Sequence, residues 1–180
     1  MHLALFDLLR LPADQARRRF VSAVPSEASD EDEDVAGRSD ARLLITAPRR
    51  ELVETLAMRI HAANRPTMPF VQVSAGALPG DACALNTMCV SLLDRARGGT
   101  LFVANVEDMS VAVQASLLDV IDAIQDARSR SAAVRLISGT TVSLLDRVSA
   151  GAFSEPLFYR LNLLHVRIPA SSRHAASTVR

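Results

Sequence analysis

Chemistry is most strongly suggested by Leu43 to Asn64, LLITAPRRELVETLAMRIHAAN. A short apolar run, Leu43 to Ile45, passes through a Pro-containing turn into a segment with Leu52, Leu56, Ile60 and Ala63 on one face, which predicts strand, tight turn, helix. A strand that turns into a helix N-terminus is the setting of a phosphate-binding loop, because backbone N–H groups and the helix dipole there face an anion. Such a loop needs G-x-x-x-x-G-K-[ST]. Here the turn reads TAPRRELVE, with neither glycine nor lysine. Arg49 and Arg50 offer positive charge, but an Arg-containing turn without glycines is more often a solvated turn than an anion cradle.

Other chemistry-bearing residues are sparse. Glu107 and Asp108 stand just before a helical pattern, where two exposed carboxylates favour the helix dipole rather than a metal. Cys83 and Cys89 lack CxxC spacing and have no His at ligand spacing, so the sequence predicts neither a zinc site nor a disulfide but buried, reduced thiols. No metal site is expected.

The elements that must position these residues follow from periodicity. Apolar runs suited to strands recur at Leu43 to Thr46, Phe70 to Ser74, Thr100 to Ala104, Val134 to Ser138 and Leu163 to Ile168. Between them lie helical stripes. One comprises Leu85, Met88, Cys89, Leu92, Leu93 and Ala96 and is stopped by Gly98 and Gly99; another comprises Val113, Leu117, Val120, Ile121 and Ile124, with Ser110 as its cap. This alternation predicts a three-layer α/β/α sandwich around a mainly parallel five-stranded sheet. Residues 1–24 read as a short helical appendage, 25–40 as an acidic linker with five consecutive acidic residues, 41–170 as the core and 171–180 as a polar tail.

Composition limits the partners. Twenty basic and twenty acidic residues leave no net field for nucleic acid or an anionic membrane, and the Arg17 to Arg19 trio reads as a solvated helix face. No apolar run is long enough to span a bilayer, and the opening MHLALFDLLRLP lacks the features of a signal peptide, which points to the cytoplasm.

Three stretches together resemble the AAA+ ATPase domain of sigma-54-dependent, enhancer-binding transcription activators. They are LLITAPRRELVETLAMRIHAAN…PFVQVSAGALP, ARGGTLFVANVEDMSVAVQASLLDVI and VRLISGTT…LLDRVSAGAFSEPLFYRLNLLHVRIP, colinear from Leu43 to Pro169. The resemblance implies a P-loop NTPase sheet, and it also shows where this chain departs from the family. The family's T-G-E-S-G-T-G-K-E aligns without a gap from Thr46 to Glu54. Its glycines fall on Ala47, Arg50 and Leu52, and its lysine on Val53. Its G-G-T-L-F-L-D-E-I aligns with GGTLFVANV, so the acidic pair that would hold magnesium and polarise water falls on Ala104 and Asn105. The sensor asparagine of A-A-T-N falls on Thr141 in SGTT. Of two arginines that reach a neighbouring subunit's nucleotide, the first falls on Ser154 and the second is kept as Arg160.

Further parts of the family pattern are missing. Between Leu78 and Ala96 the family inserts a G-A-F-T-G-A loop that touches the sigma factor, whereas this interval has room only for a turn and one helix. The family continues after Pro169 into a helical lid and a DNA-binding helix-turn-helix, so neither is expected here.

Phosphoryl transfer needs these parts as a unit. The sequence therefore predicts a pseudo-ATPase without cofactor or ATP, acting as a protein-interaction module in bacterial transcription control. Its expected partner is another protein, an intact AAA+ activator or another regulator, with no direct contact to DNA or membrane. Candidate contact residues are Ser154 and Arg160 on one surface, and Leu5, Leu8, Leu9 and Phe20 on the appendage. The alternative is a sensor that binds a nucleotide or anion without turnover through Arg49, Arg50 and Arg160; a residual weak ATPase is the third reading.

Overall fold

The computed structural model describes residues 36–126 and 133–169. Its strands are β1 (Leu43–Thr46), β2 (Phe70–Ser74), β3 (Thr100–Ala104), β4 (Arg135–Thr140) and β5 (Leu164–Arg167). They form one sheet in the order β2-β3-β4-β1-β5, with every neighbouring pair parallel. Burial follows that order. Every residue of β3 and β4, in the middle, is buried, whereas the edge strands β2 and β5 alternate inside and outside.

Helices cover both faces: α1 (Arg50–Asn64), α2 (Ala82–Arg95), α3 (Val111–Asp126), α4 (Leu144–Ser149) and α5 (Glu155–Leu161). The period-two alternation of β1 assigns the faces. Leu43 and Ile45 pack with Val53, Leu56, Ala57 and Ile60 of α1, together with Phe102 and Ile137. Leu44 joins the opposite cluster, where Leu85 and Leu92 of α2, Val113, Leu117 and Ile121 of α3, and Leu157 and Leu161 of α5 meet. This is the three-layer sandwich expected from the sequence.

Local chemistry sets the helix starts. Asp81, Ser110, Ser143 and Ser154 each accept a hydrogen bond from the backbone N–H three residues on, at 2.8–3.4 Å, satisfying a donor that the first turn leaves open. After α2, Gly98 has φ +71°, and a methyl on Gly99 would lie 2.0 Å from the Pro69 carbonyl oxygen, so only glycine lets β3 start beside β2.

Three strands match their expected limits. β4 starts one residue later than expected, at Arg135, and runs on to Thr140, and β5 loses one residue at each end. Other expectations need correction. The buried face of α1 is Val53, Leu56, Ala57, Ile60 and His61; Leu52 is only partly buried and Ala63 is exposed. Cys89 is buried as expected, but Cys83 is exposed. The end of the expected linker is structured: residues 36–38 are helical, and Ala36 and Gly37 are buried. The expectations for residues 1–35, including Leu5, Leu8, Leu9, Phe20 and the Arg17 to Arg19 trio, and for the tail from 170, lie outside the described residues. No helix among the described residues is long and apolar enough to cross a membrane.

Candidate functional site

In an open parallel sheet ligands bind beyond the carboxyl ends of the strands, where the strand order reverses. Here that place is the end of β1, between β4 and β5. The connection from β1 to α1 is three residues long, Ala47 to Arg49, and α1 already starts at Arg50. The helix absorbs the rest of the stretch that would otherwise form a cradle. The N–H groups of Leu52 and Val53 both donate to the Arg49 carbonyl, at 3.1 and 3.3 Å, and that of Ala47 donates to Thr140 at 3.2 Å. Three of the backbone donors along this stretch, those of Ala47, Leu52 and Val53, are thus engaged within the protein.

The side chains at the key positions face inward. Val53, at the lysine position, is 3% exposed, and Ala104, at the first acidic position, is 3% exposed. Both belong, with Ala47, to the apolar cluster under α1. Val53 rests directly on β4: a methyl placed on Gly139 would lie 2.3 Å from its Cγ1 and 3.0 Å from the Phe102 ring. Gly139 stands where the family's A-A-T-N pattern has alanine, so the glycine makes the room that Val53 fills. Sequence reading missed this pairing, although an isolated glycine inside a strand pattern signals close approach.

The polar residues around this core are mutually engaged. Arg50 Nη2 meets Asp108 Oδ2 at 3.4 Å, both side chains well exposed, while Arg49 is exposed beside it. Asn105 occupies the left-handed region at φ +55°, a conformation asparagine tolerates, and leads into the helical turn Val106–Asp108. Glu107 was expected to be exposed but is half-buried. Its Oε1 accepts from both the N–H and the hydroxyl of Thr141, at 3.0 and 2.8 Å, and its Oε2 is enclosed without a hydrogen-bond partner. This carboxylate therefore ties the turn after β3 to the end of β4. Asp108, by contrast, is exposed as expected. Glu54 accepts from Gln72 of β2 at 3.1 Å. No group of carboxylates, histidines or cysteines suited to a metal occurs among the described residues.

The arginine-derived surface lies elsewhere. Ser154 caps α5 through its hydroxyl, and its N–H donates to Gln114 Oε1 at 2.7 Å; Gln114 in turn donates to the Met109 carbonyl at 3.0 Å. Replacement of the family's first arginine by serine thus provides a helix cap and a link to α3. Arg160 is half-buried in the last turn of α5, next to exposed Tyr159, whose ring meets Phe158 edge-on at 5.4 Å. From Leu78 to Ala96 the chain is a turn followed by one uninterrupted helix, α2, with no inserted loop.

Comparison with known proteins agrees with this architecture. The Sigma-54 interaction domain family matches residues 84–167, starting beyond α1. The transcriptional regulatory protein GlrR of Escherichia coli is 34% identical over 155 residues, covering 76% of this chain and 35% of its own length. The crystal structure of NtrX from Brucella abortus in complex with ATP superposes with a TM-score of 0.64 at 26% identity, covering 87% of this chain and 42% of that one. The P-loop NTPase domain of a sigma-54 activator from Escherichia coli, 19% identical with a TM-score of 0.52 over 72% of this chain and 97% of that one, shares the fold. The chain spans about a third of the length of the curated relatives it matches, 35% of GlrR and 34% of NtrX from Azorhizobium caulinodans. A parallel sheet ordered β2-β3-β4-β1-β5, the motif positions and these relatives lead to one assignment: the chain belongs to the sigma-54 interaction domain family of transcriptional regulators.

Proposed function

We propose that this domain neither binds nor hydrolyses ATP and acts in transcription control through protein contacts. One observation carries the reading: the positions of the phosphate-clamping lysine and of the first metal-holding acid are Val53 and Ala104, buried in the same apolar cluster. A phosphate there would have to displace core side chains and would meet no cation to neutralise it. The chain contains no lysine at all, so no neighbouring lysine can take over. Glu107 is a poor substitute as base or metal ligand, because its Oε1 is held by both bonds to Thr141 and its Oε2 is enclosed away from solvent. Magnesium would lack the carboxylate pair that the resemblance implies, because Ala104 and Asn105 occupy its place. The anion-sensor reading is weakened because the Arg50 guanidinium is turned to Asp108 and the amides of Ala47, Leu52 and Val53 are engaged.

What remains is a rigid frame with the α5 surface, where Arg160 and Tyr159 sit. The partner we assign to it is a protein of the same regulatory machinery, foremost an intact relative. A phosphate-release assay on the purified chain tests the catalytic half: the expected rate is that of buffer, and magnesium-dependent turnover abolished by Arg50→Ala overturns the proposal. For the contact half, Arg160→Ala is expected to weaken binding to an intact relative by roughly 1–3 kcal/mol. Unchanged binding would remove that surface.

A further inference from the structure

At the amino-terminal end of the sheet, opposite the nucleotide frame, His61 stands in a cluster that the proposed function does not use. It lies in the last turn of α1 and is 8% exposed. Its Nε2 donates to the Met68 carbonyl at 3.1 Å, which leaves Nδ1 to accept from the Thr100 hydroxyl at 2.9 Å, the pattern of a neutral ring. The Phe70 ring packs against it with centroids 5.1 Å apart.

The charged groups that act on the ring are cations. Arg65, just past α1, and Arg135, the first residue of β4 and 1% exposed, both disfavour a proton on it. Burial lowers the Arg135 pKa only to about 10, so that side chain stays charged at neutral pH and below. From the segment before β1, the largely exposed Asp40 meets Arg65 rather than the ring, at 2.7 Å. Thr100 of β3 and Phe70 of β2 bring no charge. Two influences favour the proton, the Met68 carbonyl and the carboxyl end of α1. Burial outweighs them and holds the ring's pKa below 6.5.

The same two arginines fasten residues 36–40. Arg135 Nη2 donates to the Ala36 carbonyl, and Arg65 Nη2 to Asp40 Oδ1 at 2.7 Å. Gly37 lies against α1, where a methyl on it would stand 3.7 Å from the Ala63 Cβ. A proton on His61 would add a third cation beside the two that hold this segment, in a place nearly closed to water. The Thr100 hydroxyl can turn and accept from the protonated ring, so the charge rather than that bond makes the difference. We propose that His61 is an acid sensor whose protonation releases residues 36–40 from α1 and β4 while the sheet stays folded. Once the segment is free, Arg65 and Arg135 turn to water and the ring takes up a proton with its ordinary affinity. Release therefore begins below about pH 6.5 and grows by at most about tenfold per pH unit, the ceiling for one proton.

Residue-resolved hydrogen exchange on the full chain, corrected for the intrinsic rate and followed from about pH 7.5 to about pH 5, tests this. Below about pH 6.5 the protection of amides in residues 36–42, among them Ala41, whose N–H donates to Ser39 Oγ at 3.0 Å, is expected to fall several-fold. Ile45 of β1 and Ile137 of β4 are expected to keep theirs. His61→Gln, which still offers one donor and one acceptor, is expected to abolish the response. His165→Gln is expected to leave it intact, since His165 meets Thr46 at the far end of β1. Protection that does not change with pH in the parent chain overturns the proposal. So does a response that survives His61→Gln, which would assign it to a carboxylate such as Asp40, or one lost in His165→Gln, or a fall at Ile45 and Ile137 in step with residues 36–42. If His61→Gln does not fold, an NMR titration of the parent chain decides: the His61 ring and the 36–42 amides are expected to share one midpoint below about pH 6.5, and separate midpoints overturn the proposal.

Discussion

Replacing Gly139 by alanine gives a sharp reading of whether the lysine position has become core. Gly139 pairs with Ile45 in the middle of the sheet, and the new methyl would lie 2.3 Å from Val53 Cγ1 and 3.0 and 3.1 Å from two atoms of the Phe102 ring. Neither neighbour yields cheaply. Val53 is β-branched in a helix and held to one rotamer, and Phe102 is fully buried. Overpacking of this kind costs about 1–3 kcal/mol, and a 2.3 Å contact belongs at the upper end. The reduced freedom of the unfolded chain returns about 0.4–1 kcal/mol, leaving a net loss of about 2 kcal/mol. Val53→Ala alone loses two methyl groups, about 1.5 kcal/mol plus a cavity contribution. In the double variant the methyl on residue 139 occupies space that the valine has vacated, so the double variant should be no less stable than Val53→Ala. The expected coupling is about 2 kcal/mol, read from urea unfolding followed by far-UV circular dichroism with m unchanged. Losses that add within about 0.5 kcal/mol, or a neutral Gly139→Ala, would refute the packing of Val53 onto β4.

Four further outcomes follow from the same geometry. Val53→Lys is expected to lower stability by several kcal/mol, because it places an ammonium among Ala47, Phe102 and Ala104, and to produce no phosphate release; a stable, active variant would contradict this. Thr141→Val removes one of the two bonds to Glu107 and should cost roughly 1–3 kcal/mol in chemical denaturation, whereas an exposed, unattached Glu107 would make it neutral. Ser154→Ala should cost about 1 kcal/mol through loss of the α5 cap, and Ser154→Gly only a few tenths. Burial lowers the pKa of His61 and of His165 below the usual 6.5, so the unfolded chain takes up protons first as the pH falls. Their contribution to stability is complete above about pH 6.5 and is lost as the pH drops through the lowered folded values. Tm should fall from about pH 8 to about pH 5, and replacing both residues by glutamine should flatten that slope.

Much of this fold was legible because hydrophobic burial writes itself into sequence period. β1, β2 and β3 end where the apolar runs end, and α3 opens after Ser110 because its hydroxyl caps the first turn. The misses have a common cause. Which apolar residue of α1 faces the sheet depends on what lies opposite. Leu52 and Val53 are equally apolar neighbours, and the space above Gly139 decides for Val53. Glu107 looked like a surface acid because its partner, Thr141, is thirty-four residues away in sequence and next to it in space. The end of the acidic segment looked solvated because composition does not reveal that the Ala36 carbonyl is held by a buried arginine from β4. At the candidate site, the replaced residues were identifiable one by one. Only the structure brings three of them, Ala47, Val53 and Ala104, into one apolar cluster.

The central claim, that the nucleotide frame has been filled with core side chains, is tested most directly by calorimetric titration of the purified chain with ATP in the presence of magnesium. Only the heat of dilution is expected at every ratio, for the parent chain and for Val53→Ala alike. Saturable binding at micromolar affinity in the parent chain, weakened by Arg50→Ala, would mean that a phosphate reaches the loop despite Val53 and Ala104, and would contradict the account.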